Sequence, residues 1–353
     1  MSRKPGPIVL FGSGESLPEA QPIHDSILKA VARPVRACIL ETPAGFETNS
    51  PQVAGRLGEY LRVRLQNYRP EITIVPARRR GTAFSPDDQA IAEPIFGANY
   101  LMMGPGSPSY TVRQLRDSFT WHAVVARHRL GYPLVLASAA TIAVSDFALP
   151  VYEIYKVGEE LHWKRGLNLL GPNRPSIAFV PHWDNNDGGK DLDTSRCFMG
   201  KARFAELRAL LPPTTAVVGI DERTALILDF THDEARVMGA GGVTLQSERD
   251  ERRFGRRETF PLADLGLDAL TDPAIGLPNA VWEKALAADS TTAPTAVLPS
   301  DDVLALIATR ARARASQDWA ESDRLRDDIA RLGWKIKDTP NGAEVLPLGC
   351  PHG

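Results

Sequence analysis

Short apolar runs that alternate with longer amphipathic stretches constrain the fold of this chain more than any other feature. Runs this apolar are typical of parallel strands that helices cover on both faces. The pattern predicts strands at Ile8–Phe11, Val35–Leu40, Ile72–Val75, Tyr100–Met103, Pro133–Ala137, Ser176–Val180, Ala216–Ile220 and Ala225–Asp229. It predicts helices at Ile23–Ala32, Gln52–Gln66, Pro86–Phe96, Val112–Arg127 and Ala202–Leu211. We therefore expect an α/β fold with a mostly parallel sheet flanked by helices.

Composition excludes several classes of protein. With 353 residues, the chain exceeds one ordinary domain and favours one large and one small domain. A net charge of −2 predicts no general affinity for nucleic acid or membranes. Cys38, Cys197 and Cys350 are widely spaced, which argues against structural zinc and favours a reducing compartment. No apolar segment resembles a signal or a membrane span, so we expect a cytoplasmic protein.

The pattern changes after about residue 270. Residues 285–300 are rich in small residues and contain Pro, as linkers do. We therefore predict a large domain over 1–284, a linker over 285–300 and a small domain over 301–349.

The small domain has its own pattern. Helices are predicted at Asp302–Ala315 and Trp319–Leu332, and Gly333 is well placed to end the second. Two short apolar segments, Trp334–Ile336 and Glu344–Leu346, flank a turn-rich stretch. These features predict a helical hairpin followed by a short β-hairpin.

Ser138 is the first candidate catalytic residue. It follows the apolar strand at Pro133–Ala137 and precedes a predicted helix at Ala139–Phe147. A serine on a tight strand-to-helix turn exposes its hydroxyl, and small neighbours let a substrate carbonyl approach backbone N–H groups. A plain helix N-cap is the alternative. Loops at Gly12–Glu15, Thr42–Gly45 and Gly104–Ser107 also follow strands, which predicts one site at that sheet edge.

A serine hydroxyl needs a base, and His182 is the best candidate. It ends an apolar strand and opens the polar loop that contains Asp184 and Asp187. The alternatives are a solvated histidine or a ligand for a metal ion, although no second histidine has ligand spacing. His24, His122, His128 and His232 are expected on helix surfaces or loops.

The acid that would orient His182 is less defined by the sequence. Glu153 lies among apolar neighbours, which is unusual for an unpaired acid. Asp221 and Glu222 follow the strand at Ala216–Ile220 and are the alternatives. Residue patterns rank Glu153 first by a narrow margin.

Several motifs give the large domain a family resemblance. They are Gly12-Ser-Gly-Glu15, Gly104-Pro-Gly-Ser-Pro108, Ala137-Ser-Ala-Ala140, Gly219-Ile-Asp-Glu-Arg-Thr-Ala225 and Gly239-Ala-Gly-Gly242. From about residue 8 to 245 the chain resembles the serine peptidase family of dipeptidase E and cyanophycinase. That family's fold resembles class I glutamine amidotransferases.

The resemblance implies roles for individual residues. Ser138 would be the nucleophile, His182 the base and Glu153 the acid, with Ala139 and the loop Gly104–Gly106 donating N–H groups to an oxyanion. We also expect substrate contacts from Gly14, Glu15, Ser107 and Asp184. Ala140 departs from the family's usual glycine, so the turn at Ser138 is expected to differ slightly.

The small domain resembles the C-terminal domain of bacterial cysteinyl-tRNA synthetases. The resemblance runs through Arg310-x-x-Ala313-Arg314, Asp318-Trp-Ala320, Asp323-x-x-Arg326-Asp327, Leu332-Gly333 and Asp338-Thr-Pro340-x-Gly342. In those enzymes the domain contributes to anticodon recognition. The chain lacks HIGH-like and KMSKS-like motifs, so it is not expected to aminoacylate tRNA. Residues 301–344 contain eight Lys or Arg and nine Asp or Glu, which gives no strong footprint for nucleic acid.

The sequence thus supports three hypotheses. The first is a serine hydrolase that cleaves a small amide or peptide, with aspartyl peptides implied by the family; Arg78-Arg79-Arg80 would attract such a substrate. The second is an inactive binding protein, and the third is a tRNA-associated adaptor that acts through the small domain. No cofactor, metal or membrane partner is expected, and a homodimer is left open.

Overall fold

The computed structural model describes residues 4–171, 176–248, 250–267, 273–292, 300–339 and 342–347. The chain divides into two compact units, Met1–Thr292 and Ala293–Gly353. Within the described residues, no helix has both the length and the apolar character that crossing a membrane requires.

The large unit alternates strands with helices along most of its length, as the apolar periodicity predicts. Its strands are β1 Ile8–Phe11, β2 Arg36–Leu40, β3 Glu71–Val75, β4 Tyr100–Met103, β5 Leu134–Ala137, β6 Phe147–Ala148, β7 Lys164–Arg165, β8 Ile177–Val180, β9 Ala216–Ile220, β10 Thr224–Asp229, β11 Glu234–Gly239, β12 Val243–Gln246, β13 Glu251–Phe254 and β14 Thr259–Pro261. Its helices are α1 Gln21–Leu28, α2 Ser50–Arg64, α3 Gln89–Gly97, α4 Pro108–Leu115, α5 Phe119–Arg129, α6 Ala139–Ala143, α7 Gly200–Ala209 and α8 Asn279–Thr292.

The main sheet has eight strands in the order β14-β11-β10-β1-β5-β4-β2-β3. The five strands from β1 to β3 in that order run parallel, and β10, β11 and β14 extend the sheet antiparallel. A second sheet has the order β13-β12-β9-β8, with β8 and β9 parallel. The predicted α/β class with a mostly parallel main sheet is confirmed.

Helices cover both faces of the main sheet, and β1 shows why its residues are all apolar. Ile8 and Leu10 belong to the core cluster on one face, while Val9 and Phe11 belong to the cluster on the other. All four side chains are buried, because alternate residues of a strand point to opposite faces. Because side chains are buried on both faces of β1, its register is fixed. A shift of one residue would move each side chain to the opposite face of the sheet.

Two predicted helices differ from the structure. The helix predicted over 112–127 is interrupted after Leu115, because Asp117 adopts a left-handed φ of 55°. Ser118 then caps a new helix through a hydrogen bond from the Trp121 N–H at 3.1 Å. The helix predicted to reach Phe147 is only five residues long and ends at Ala143.

The predicted linker over 285–300 also needs correction in its first part. Helix α8 continues through Thr292, and its Val281 and Ala285 are buried in the core of the large unit. Small residues in this stretch allow close packing against α3 and α5. The low complexity of the sequence does not indicate this packing. Residues 293–299 lie outside the described residues.

The small unit consists of helices α9 Asp301–Ala315 and α10 Trp319–Arg331 and strands β15 Trp334–Thr339 and β16 Gly342–Pro347. The two helices pack together, and the two strands pair antiparallel. Gly333 follows α10 with φ of 85°, and its N–H bonds the Ala330 carbonyl at 3.0 Å. The predicted helical hairpin and β-hairpin are present, although residues 340 and 341 of the turn lie outside the described residues.

Candidate active site

Ser138 sits on a strained turn between β5 and α6. Its φ is 52° and its ψ is −110°, a combination that a non-glycine residue adopts only when its surroundings impose it. The strain falls on Ser138 itself, whereas Ala140 lies inside α6 and is fully buried. Ala140, which stands where the family that the motifs resemble usually has glycine, therefore does not occupy the position with positive φ, and it fits the turn.

Ser138, His182 and Glu222 form one line of hydrogen bonds. Ser138 Oγ lies 2.9 Å from His182 Nε2, and His182 Nδ1 lies 2.9 Å from Glu222 Oε1. The three residues follow β5, β8 and β9, so three strand ends meet at this point. Such a line lets an imidazole take a proton from the hydroxyl while the carboxylate fixes the ring and stabilises its charged form.

Further bonds hold Glu222 in place. Asn185 Nδ2 donates to Glu222 Oε1 at 2.9 Å, and the Ser13 hydroxyl donates to Oε2. The Glu222 N–H itself donates to Asp184 Oδ1 at 2.7 Å. Burial acts to raise the pKa of Glu222, but hydrogen bonds and the charge of His182 outweigh it and lower this pKa to about 2. The carboxylate is therefore ionised wherever a histidine base would work.

A left-handed segment holds the backbone beside His182. Arg196, Cys197 and Phe198 all have positive φ, as does His182 itself at 53°. The Cys197 N–H donates to the His182 carbonyl at 3.0 Å, and the Phe198 ring lies 5.9 Å from the imidazole. Trp183 packs directly over Gly219 in β9, where an added Cβ would meet its ring at 2.2 Å. These contacts fix both the backbone and the ring of His182.

The prediction that Glu153 bonds His182 is wrong, because His182 Nδ1 bonds Glu222 instead. Glu153 begins a short helical turn, and its Oε1 accepts a hydrogen bond from Lys164 Nζ at 3.1 Å. Glu153 is therefore paired with a lysine. Asp221, the other alternative, is fully buried and accepts the Gly242 N–H at 2.7 Å and the Arg253 guanidinium. Asp221 thus fastens the glycine turn, which leaves Glu222 as the partner of His182.

The predicted oxyanion donors separate into two groups. Ala139 and Gly106 line the cavity at Ser138, whereas Gly104 lies apart from it and packs on the Leu57 side chain. Gly106 has φ of 150°, and an added Cβ would meet the Pro43 carbonyl oxygen at 1.9 Å, so only glycine fits. Oxyanion binding by Ala139 and Gly106 stays a prediction.

The four predicted substrate contacts have different surroundings. Gly14 turns the loop after β1 with φ of 75°, and Glu15 is buried within electrostatic reach of His182. Burial raises the pKa of Glu15 despite that nearby charge. Ser107 caps α4 by accepting the Tyr110 N–H at 3.2 Å. Asp184 positions Glu222, as described above, and does not line the cavity at Ser138.

Two histidines lie in a different environment from the one the sequence predicted. His24 and His128 are buried, and burial lowers their pKa to about 4 and about 3. Cys38 is a free, buried thiol, and burial raises its pKa to about 12. Among the described residues, no group of three or more His, Cys, Asp or Glu side chains could hold a metal ion.

Sequence reasoning missed Ser13 and Asn185 as supports of the acid. Ser13 lies inside the Gly12–Glu15 motif, and Asn185 lies three residues after His182. A polar residue close to a candidate base is a usable signal, but many loop residues share it. Only the fold shows that Ser13, 209 positions away, reaches Glu222.

Comparison with known proteins gives a sequence match for the small unit and a structural match for most of the chain. A model of the cysteinyl-tRNA ligase anticodon-binding domain matches residues 299–345. Cysteine–tRNA ligase 1 of Burkholderia lata is 49% identical over 55 residues, which are 16% of this chain and 12% of that protein. The ligase of Afipia carboxidovorans is 58% identical over 40 residues, 11% of this chain and 9% of the ligase. The chain thus spans only about a tenth of the ligases' length.

The structural match covers most of the chain. A crystal structure of a peptidase from an acI-B1 actinobacterium aligns with a TM-score of 0.59 over 74% of this chain and 98% of that chain, at 19% identity. The large unit therefore shares the fold of that structure. A putative peptidase E protein from Listeria monocytogenes aligns with a TM-score of 0.45 over 67% of this chain and 99% of that chain, at 12% identity. The peptidase resemblance predicted from the motifs is confirmed at the level of the fold.

Proposed function

We propose that this protein is a serine hydrolase that cleaves a small amide or peptide bond. The observation that carries the proposal is the line Ser138–His182–Glu222, with 2.9 Å at both hydrogen bonds. The strained turn at Ser138 and the peptidase fold of the large unit support it. Because shared fold does not establish activity, the geometry of the site carries more weight than the match.

The proposed reaction has two halves. Ser138 Oγ attacks the carbonyl carbon while its proton passes to His182 Nε2, and the N–H groups of Ala139 and Gly106 face the developing oxyanion. The C–N bond then breaks, the amine leaves with the proton from His182, and an acyl-enzyme remains. Water attacks this ester, His182 takes its proton, and the acid product leaves as Ser138 regains a proton. Glu222 stays ionised throughout.

A covalent probe tests this proposal directly. A small fluorophosphonate should label the wild-type protein at Ser138, and mass spectrometry should place the adduct on that residue. Ser138→Ala is the control and should not be labelled. A folded wild-type protein that stays unlabelled would support the alternative, a binding protein without turnover.

We propose tRNA binding by the small unit as a second candidate function, because its sequence matches an anticodon-binding domain. Its electrostatics predict weak binding. Arg324 pairs with Glu321 and Asp328, and Arg326 pairs with Asp323, so acids neutralise much of the basic charge.

Fluorescence anisotropy with labelled tRNA tests this second candidate. At low salt, binding should be measurable and should weaken steeply as salt is added, and Ser138→Ala should bind tRNA equally well. No anisotropy change at about 50 mM salt would contradict the tRNA hypothesis without affecting the hydrolase proposal.

A further inference from the structure

The cavity beside Ser138 has mainly apolar walls. We call it the apolar chamber; it measures about 200 Å³, and its walls include Ile142, Val151, Tyr155 and Phe198. The rings of Tyr155 and Phe198 lie 5.4 Å apart, centroid to centroid, so they form one continuous aromatic wall. A chamber of this size and lining suits one apolar or aromatic side chain.

Charged side chains would find few partners in the apolar chamber. Among the described residues that line it, none is a carboxylate, and the basic groups are His182 and Lys156. Lys156 is exposed, with its Nζ 4.8 Å from the centroid of the Tyr155 ring, so its charge stays in water. An ionised side chain that entered the chamber would lose its hydration without gaining a buried partner.

A larger cavity adjoins the apolar chamber. We call it the basic groove; it measures about 1120 Å³. Tyr152 lines both spaces. The segment that leads into α4 alternates between them, with Gly106 and Pro108 on the chamber and Ser107 and Ser109 on the groove. The two cavities therefore lie side by side, within reach of one short substrate.

The basic groove has an excess of positive charge. It is lined by five basic residues, Arg79, Arg113, Arg116, Lys164 and Arg165, against the acids Glu47 and Glu153. Lys164 is paired with Glu153, and Arg165 is paired with Asp146. The Arg113 guanidinium lies against the Tyr110 ring, 5.2 Å from its centroid, and is exposed to solvent. The groove thus favours an anionic group.

We infer that the substrate is a short peptide or amide whose scissile carbonyl belongs to an apolar or aromatic residue and whose other part carries a carboxylate. The apolar side chain fills the apolar chamber, and the carboxylate lies in the basic groove near Arg113. This inference rests on the proposed hydrolase function. It differs from the aspartyl preference that the family resemblance implies, because it puts the negative charge beyond the chamber.

Two matched inhibitors test the chamber without requiring turnover. They are aminoalkyl diphenylphosphonates that differ only in the side chain, benzyl in one and carboxymethyl in the other. The benzyl compound should inactivate the full-length protein at least about tenfold faster, since apolar pockets discriminate strongly against charge.

The outcomes separate this inference from the proposed function. Equal rates, or a faster carboxymethyl compound, would overturn the inference while leaving a reactive Ser138. The same holds if neither phosphonate reacts although a small fluorophosphonate labels Ser138. If the fluorophosphonate also fails, the hydrolase proposal fails, and the inference fails with it.

Binding to the groove is measured separately, on Ser138→Ala so that no peptide is cleaved. A phenylalanyl dipeptide with a free C-terminal carboxylate should bind more tightly than its carboxamide. Adding Arg113→Met should weaken binding of the acid about fivefold and leave the carboxamide unchanged.

Arg56→Met is the matched control, because Arg56 is an exposed arginine on α2 that lines neither cavity. It removes the same charge and should leave both affinities unchanged. If Ser138→Ala with Arg113 intact bound the dipeptide acid and its carboxamide equally tightly, the role of the basic groove would be overturned.

Discussion

The two units of this protein relate sequence to structure in opposite ways. The small unit matches the model of an anticodon-binding domain over residues 299–345. Neighbouring segments build it: α9 packs on α10, and β15 pairs with β16. The large unit shares 19% identity with its structural match, yet it joins Ser13, Ser138, His182 and Glu222 in one site. A unit built from neighbouring segments can be recognised from its sequence. A site built from the ends of distant strands is recognised mainly from the distances between its side chains.

The largest expected effect separates Glu222 from Glu153. Glu222→Gln should lower kcat on the order of 10⁴-fold, because a neutral amide no longer stabilises the charged imidazole and favours the wrong tautomer. Once a substrate has been found, steady-state kinetics measures the change; the rate of fluorophosphonate labelling measures it before then.

Glu153→Gln is the matched variant, since it removes the same charge from the acid that pairs with Lys164. Its rate should change by less than about tenfold. If Glu153→Gln were the more damaging of the two, the site would have to be rebuilt around Glu153.

The next effect concerns the packing behind the site. Gly219→Ala should destabilise the large unit by about 1–3 kcal/mol, because the new Cβ would collide with the Trp183 ring at 2.2 Å. It should also slow labelling of Ser138, since Trp183 follows His182 directly. Denaturant unfolding measures the first effect, and Gly55→Ala is the control, because an added Cβ there meets nothing within 4 Å.

Buried histidines give the stability of the large unit a dependence on pH. His24 has its pKa lowered to about 4 by burial, against about 6.5 in an unfolded chain. Between these pH values the unfolded state binds a proton that the folded state rejects. The free energy of unfolding should therefore fall by about 1.4 kcal/mol per pH unit for this histidine as pH drops from about 6.5 to about 4.

Denaturation curves at several pH values measure this slope. In His24→Gln the slope should be smaller by that amount, because the proton uptake is gone. His128, with a pKa of about 3, adds a second slope of the same sign that extends to lower pH. An unchanged slope in His24→Gln would show that His24 is not buried as a neutral group.

The smallest expected effect lies in the small unit. Asp318 Oδ1 accepts the Glu321 N–H at 3.1 Å and caps α10. Asp318→Ala should destabilise the small unit by about 1 kcal/mol and leave labelling of Ser138 unchanged. Hydrogen exchange of the α10 amides measures the loss of stability. Slower labelling of Ser138 in Asp318→Ala would contradict the prediction that the small unit does not affect the serine.

Much of the fold could be predicted from the sequence. Strands β1, β4 and β9 have their predicted bounds, because a run of apolar residues between turn residues admits few other structures. The break at Asp117 was not predictable from helical periodicity, since the apolar spacing continues across it. In the predicted linker over 285–300, the composition is that of a flexible segment. Its first part is nevertheless helical, because α8 packs on α3 and α5.

The acid of the site shows the same limit more sharply. Asp221 and Glu222 are adjacent in the sequence and are both acids at the end of β9. One side chain is fully buried against Arg253 and a glycine turn, while the other reaches His182. Successive side chains leave the backbone in different directions, so the choice depends on which direction faces β8 and its loop.

By itself, the sequence determined the strands from β1 to β5 and from β8 to β10, the peptidase-like motifs, the candidates Ser138 and His182, and the small helical hairpin. These depend on periodicity and on residues that follow strand ends, which are properties of short segments. Only the tertiary structure decided that Glu222 bonds His182, that Ser13 bonds Glu222, and that an apolar chamber adjoins a basic groove. Those features join segments as much as 209 residues apart, and their positions follow from sheet order and packing.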